Sequence, residues 1–135
     1  MTDLTFADWL AICNVKARYC RLLDTKDWAA WGDQFTEDCV LDTTASGGPV
    51  YNGRAEIVSG VSTSLTGAQT AHQVHSPEIT INGDTASAVW AMQDRVIWSG
   101  MALTGYGHYL EDYRRCGDGQ WRIARQSLTR LIVER

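Results

Sequence analysis

At 135 residues the chain is long enough for one domain, spanning 1–135, that buries about two-thirds of its unfolded surface and needs no disulfide staples. A formal net charge of −4, with 44% hydrophobic and 21% charged residues, marks an ordinary soluble composition and excludes the basic footprint of a nucleic-acid binder. No stretch approaches the about 18 consecutive apolar residues of a membrane helix. The opening MTDLTFADWL lacks the basic segment and apolar run of a secretory signal. Cys13, Cys20, Cys39 and Cys116 are scattered without a CxxC pair, which fits reduced thiols in a cytoplasmic protein.

In chain order, Thr5 and Asp8 can cap a helix whose apolar residues Trp9, Ile12, Val15, Tyr19, Leu22 and Leu23 recur at three- and four-residue steps. Lys16, Arg18 and Arg21 are assigned to its wet side. The helix is expected to end near Asp24 to Lys26, where Asp27 can cap a second, shorter helix carrying Trp28, Trp31 and Phe35. CVLDTT (39–44) reads as a strand, Gly47-Gly48-Pro49 as a turn and VYN as a short return strand. Arg54 to Leu65 reads as a third helix with Ile57, Val58, Val61 and Leu65 on one face. Four β segments follow, near 70–81, 85–98, 104–115 and 120–133, separated by turns at 82–84, 99–100 and 116–119. The order ααββαββββ predicts an α+β fold: a curved, mostly antiparallel mixed sheet wrapped over three helices, with a cavity between the layers.

Period-two alternation puts His72, Val74 and Ser76 on one face and Ala71, Gln73 and His75 on the other, so His72 and His75 cannot share a cavity or a metal ion. No metal site is expected. Asp24 ends the first helix, where the macrodipole disfavours a carboxylate, which points to an unusual partner such as an imidazolium. Tyr19 diverges from Asp24 by about 140° around the helix axis. Six tryptophans are many for this length, and Trp28, Trp31, Trp90 and Met92, with Trp98 and Met101, are expected to share pocket wall and core. Arg125, alternating with Ile123 and Ser127, is expected to face inward, toward an anionic substrate or in a pair with Asp94. His108 joins the pocket only if its face is inward. Ala71, Gln73, Val89, Ala91, Tyr109 and Tyr113 are expected on the opposite, self-associating face.

The runs VKARYCRLLDTKDWAAWGDQFTEDCVLD and TAHQVHSPEITINGDTASAVW, with the closing WRIARQSLTRL, resemble the SnoaL-like, nuclear-transport-factor-2-like superfamily. Its members include scytalone dehydratase, bile-acid 7α-dehydratase and hexachlorocyclohexane dehydrochlorinase. The resemblance covers nearly the whole chain and implies a cone-shaped α+β barrel. It implies that Asp24 orients His72 as a general base and that Tyr19 matches the bile-acid enzyme's tyrosine, although Tyr19 stands where the dehydrochlorinase carries a lysine. The implied activity is a cofactor-independent, dehydratase-like lyase acting on a hydrophobic cyclic or aromatic small molecule, in a homo-oligomer, trimer or dimer. Two other readings stay open. One is an isomerase- or cyclase-like enzyme using Asp42, whose side of the first strand alternation leaves undecided. The other is a non-catalytic binding module or structural subunit with a filled cavity.

Overall fold

The structure, a computed structural model, describes residues 5–135. The reading of the N-terminus as free of a secretory signal rests partly on residues 1–4, which lie outside the described residues. Thr5 caps helix α1 (Phe6–Asp24), its hydroxyl accepting the Asp8 backbone N–H at 3.2 Å. The Asp8 carboxylate does not complete the reciprocal box. It accepts instead from Arg115 at 2.9 Å and from the Trp121 indole at 3.3 Å, tying the helix start to the sheet. Asp27 caps the short α2 (Trp28–Gly32) through the Ala30 N–H. Phe35, expected in that helix, is already the first residue of strand β1 (Phe35–Asp42). A 3-10 turn (Thr44–Ser46), β2 (Val50–Asn52) and α3 (Arg54–Ser64) complete the first half.

The second half is a meander of long strands: β3 (Gln69–Asn82), β4 (Thr85–Trp98), β5 (Met101–Arg115) and β6 (Trp121–Glu134). The sheet order is β2-β1-β6-β5-β4-β3, antiparallel throughout except for the parallel β1–β6 pair. This is the mixed sheet with helices on one face that the element order implies, and it does not close. Among the described residues no helix is long and apolar enough to cross a membrane.

Three irregularities decide which side chains face the helices. In β3 the pairing slips between His75 and Glu78, with Ser76 at φ 49°, so the inward set moves from His72 and Val74 to Ile79 and Ile81. Ser76 therefore leaves the face it was expected to share with His72. In β6, Asp112 opposes Arg125 while Tyr113 opposes Ile123, which leaves Ala124 as an extra residue. A bulge of this kind reverses the alternation beyond it. Gln126, Leu128 and Arg130 consequently face inward, and Arg125 points out, its side chain 48% exposed and 3.5 Å from Asp42. A second slip leaves Leu131 unpaired between Arg130 and Ile132.

The core lies between α1 and the inner sheet face. Ile12, Val15, Leu22, Leu23, Trp31, Phe35 and Ile123 are buried, and full burial of an aliphatic or aromatic side chain contributes about 1.5–3 kcal/mol. Tyr109 and Tyr113 are also inside, at 2% and 1% exposure, which corrects their placement on the outer face. The alternation of β5 runs opposite to that expected, so His108, between Gly107 and Tyr109, faces away from the helices.

Lys16 is the largest departure from the sequence reading. It is fully buried, and its ammonium bonds Glu111 at 2.6 Å, neither side chain having any exposure. Glu111 also accepts from Tyr113 and from the Gln126 amide, and Tyr113 accepts the Trp90 indole N–H at 3.1 Å. Burial pushes the Lys16 ammonium below its usual range, and the Glu111 charge opposes that push. The pair spans α1 and β5, so removing one partner strands a charge in the core. Lys16→Met is expected to cost about 3–5 kcal/mol in urea denaturation, and adding Glu111→Gln should restore part of the loss. Equal stability of Lys16→Met and the parent chain would exclude a charged pair.

Candidate functional site

Asp24, at the last turn of α1, has no helical donor to satisfy it and faces the repelling end of the helix dipole. Strand β3 supplies three donors. Asp24 Oδ2 accepts the His72 backbone N–H at 2.8 Å, and Oδ1 accepts the Thr70 hydroxyl at 2.9 Å and faces His72 Nδ1 at 2.7 Å. The carboxylate therefore holds both the backbone and the ring of one residue. With Nδ1–H directed at Asp24, the neutral imidazole keeps its lone pair on Nε2, and that nitrogen faces the interior. The His72 side chain is 8% exposed.

Nε2 looks toward a cavity of ≈ 190 Å³ between α1, α3 and the inner sheet. Its floor is polar: Tyr19, Tyr109 and Gln126. One wall carries His72 beside the Asp94–Arg130 ion pair. The remainder is apolar, including Leu41, Val61, Leu65, Val96, Leu103 and Leu128. At the rim the Trp98 indole donates to the Ser64 carbonyl at 3.4 Å, joining the end of β4 to the end of α3.

Arg130 grips Asp94 with both terminal nitrogens, at 2.8 and 2.7 Å, and Asp94 Oδ2 lies 3.9 Å from His72 Nε2. The hydrogen bonds it donates to Asp94 hold the Arg130 guanidinium above its ordinary pKa, so its charge is permanent. Arg130 and Asp94 stand on β6 and β4, with β5 between them. Gly105 on β5 makes the reach possible, because a Cβ there would overlap both Arg130 Nη1 and Asp94 Oδ1.

Tyr19 sits under the cavity. Its hydroxyl is 3.2 Å from Gln126 Oε1, and the direction of this bond follows from the next one. The Glu111 carboxylate only accepts, so it fixes the Gln126 NH2 toward itself and leaves Oε1 for the Tyr19 O–H. Lys16 Nζ lies 3.6 Å from the Tyr19 ring centroid and 3.5 Å from that of Tyr109. Burial raises both phenols well above their usual pKa, and both remain hydrogen-bonding neutral groups.

The structure thus brings Asp24 and His72 into contact and places Tyr19 on the cavity floor. Of the other sequence candidates, Trp98 and Asp94 also line the cavity, whereas Trp28, Trp31, Trp90, Met92, His108, Arg125 and the exposed Met101 do not. Trp31 is wholly buried behind Tyr19, with ring centroids 5.6 Å apart, and Trp28 packs edge-on against Trp31. Trp90 and Met92 are core residues at 4% and 3% exposure. His108 and Arg125 belong to the outer face, Arg125 because of the bulge at Ala124. Asp42 also lies outside the cavity, its Oδ1 accepting from the Thr44 N–H and hydroxyl at 2.9 and 2.6 Å. These bonds hold its carboxyl below the usual range, which is unsuited to a base near neutrality. Arg130, Gln126 and Tyr109 were missed as site residues. The available signal was the pair of glycines flanking Tyr106 inside a strand, since glycine there marks a close approach by another group.

A helix layer packed on a mixed sheet, with a hydrogen-bonded histidine facing the cavity between them, defines the cone-shaped α+β class. Within it, residues 5–127 match the SnoaL-like domain model, and the chain belongs to that family. A Novosphingobium aromaticivorans protein provisionally named an aromatic ring hydroxylase is 28% identical, with a TM-score of 0.90 over 98% of this chain and 95% of that one. A second protein from that organism, provisionally named a scytalone dehydratase, is 21% identical, with a TM-score of 0.88 over 99% and 91%. A hexachlorocyclohexane dehydrochlorinase shares the fold at 14% identity, with a TM-score of 0.84 over 95% and 88%.

Asp24→Asn gives a sharp test of the ring orientation. The His72 backbone N–H needs an acceptor, so the oxygen of the substituted amide turns to it and the NH2 faces Nδ1. Heteronuclear NMR of the neutral ring should then show the proton moved from Nδ1 to Nε2. An unchanged tautomer would mean that Asp24 does not set the ring.

Proposed function

We propose that the chain is a cofactor-independent lyase that removes a proton next to a carbonyl and expels a β-leaving group, most simply water. The observation that supports this reading is the Asp24–His72 contact at 2.7 Å, with Nε2 left free toward the cavity. A histidine is the side chain whose ordinary pKa lies nearest neutrality, and a carboxylate on its far nitrogen stabilises the imidazolium formed when it takes a proton.

In this reading His72 Nε2 takes the α-proton and the electron pair moves onto the carbonyl oxygen. Tyr19 donates to the resulting enolate, exchanging its long 3.2 Å bond to Gln126 for a shorter, charge-assisted one. As the enolate collapses, the β-hydroxyl leaves with the proton returned from Nε2. Water and an enone are the products, and His72 is again neutral. The names of the dehydratase and dehydrochlorinase neighbours agree with this chemistry, since both describe eliminations.

The non-catalytic alternative calls for a filled cavity, and the space beside His72 disfavours it. The Asp42 alternative lacks a base in the cavity. The test is enone formation from neutral cyclic β-hydroxy ketones, followed by ultraviolet absorbance. His72→Ala should abolish it, and Asp24→Asn should lower the rate by up to about 10⁴-fold, as when the histidine of a similar pair is left in the wrong tautomer. Undiminished turnover in His72→Ala would exclude this base.

A further inference from the structure

The cavity beside His72 carries information about what it admits, through its charge balance and its size. Among the described residues that line it, one carboxylate, Asp94, and one guanidinium, Arg130, are present, and they are joined to each other. Asp94 is 3% exposed and Arg130 15%. Lys16, below the floor, is fully engaged with Glu111. Asp24 lies behind the imidazole and is not part of the lining. No charge is left over to meet a charged ligand.

An anionic substrate would have to draw Arg130 away from Asp94. That would leave a buried carboxylate without its cation, a strongly unfavourable change. Asp94 Oδ2 is also 3.9 Å from His72 Nε2, so a freed Asp94 would favour the imidazolium and take the base out of action. A cationic substrate in the cavity has no free carboxylate to reach, because Asp94 is held by Arg130 and Asp24 is not part of the lining.

Size narrows the class further. An apolar cavity of about 150 Å³ accommodates benzene, whereas sites for drug-sized ligands run from about 300 to 1,000 Å³. At ≈ 190 Å³ this cavity has room for a six-membered ring with a small substituent or two. A second fused ring would have to displace the rim, where the Trp98 indole is bonded to the Ser64 carbonyl.

We propose that the site is built for an electrically neutral, single-ring carbonyl compound, and that the Arg130–Asp94 pair acts as the filter that refuses anions. The proposal rests on the elimination reading for its carbonyl. Its charge and size limits come from the cavity itself.

Binding to the wild-type chain can be followed by NMR of the His72 ring with three probes: cyclohexanone, 4-oxocyclohexanecarboxylate and 1-decalone. Cyclohexanone is expected to bind saturably and at least about tenfold more tightly than either of the others, a difference of about 1.4 kcal/mol. In Asp94→Asn, Arg130 is released, and the carboxylate probe should gain at least about tenfold. The proposal is overturned if the carboxylate binds the wild type as tightly as cyclohexanone, if decalone does, or if cyclohexanone does not bind. The readout needs no turnover. The predicted binding order without enone formation would refute the reaction and leave the substrate class standing. Enone formation with the reverse binding order would refute the class alone.

Discussion

Glu111 has no exposed side-chain surface, and an ionised carboxylate in that position is tenable only if every oxygen is met by donors. Lys16 comes from α1, Gln126 from β6 and Tyr113 from β5 itself, with Trp90 of β4 bonded to Tyr113. One charge thereby fixes a helix and three strands at a common point. Hydrophobic contacts along α1 would tolerate sliding or rotation, since Ile12, Val15 and Leu22 are bonded to nothing in a directed way. The Lys16–Glu111 contact does not tolerate it. It sets the rotation of α1, and with that rotation the direction of Tyr19, three residues along, and the height at which Asp24 meets β3.

The two ends of α1 are then used differently. At its start Asp8 accepts from Arg115 and Trp121 through one oxygen, a tie between helix and sheet. At its end Asp24 accepts three bonds from Thr70 and His72, two of them from groups that cannot ionise. Those two anchor the carboxylate whether or not the imidazole is protonated. The third bond is therefore free to change character as the ring gains and loses a proton, without the geometry being rebuilt. A carboxylate held only by the ring would be expected to swing with each change of charge.

Most of the architecture was legible because local rules and the final structure agree. The caps at Thr5 and Asp27, the turns before β4 and β6 and the order of elements all appear where composition and periodicity put them. Contact between Asp24 and His72 was reachable by resemblance, and the anomaly of an aspartate at a helix C-terminus pointed the same way. Lys16 was misread for a different reason. It lies four residues after Ile12 and three before Tyr19, squarely on the buried stripe, and only its charge argued for solvent. Spacing was the better guide, because the partner that makes burial tolerable lies 95 residues away and leaves no local trace.

The faces of β5 and β6 could not be obtained by counting. Alternation is reliable only within an unbroken ladder, and β6 is broken at Ala124 and again near Leu131. The first bulge exchanges the environments of Arg125 and Gln126, sending the guanidinium expected inside to Asp42 and the amide to Glu111. It also sets Arg130 inward, where Gly105 gives it a path to Asp94. Without the extra residue, the strand would aim Arg125 at the buried network around Glu111 and leave Asp94 unpaired beside His72. An aspartate at 3% exposure would then stand without its guanidinium next to that ring. The bulge in β6 is thus what allows two aspartates to flank one histidine while only one of them engages it.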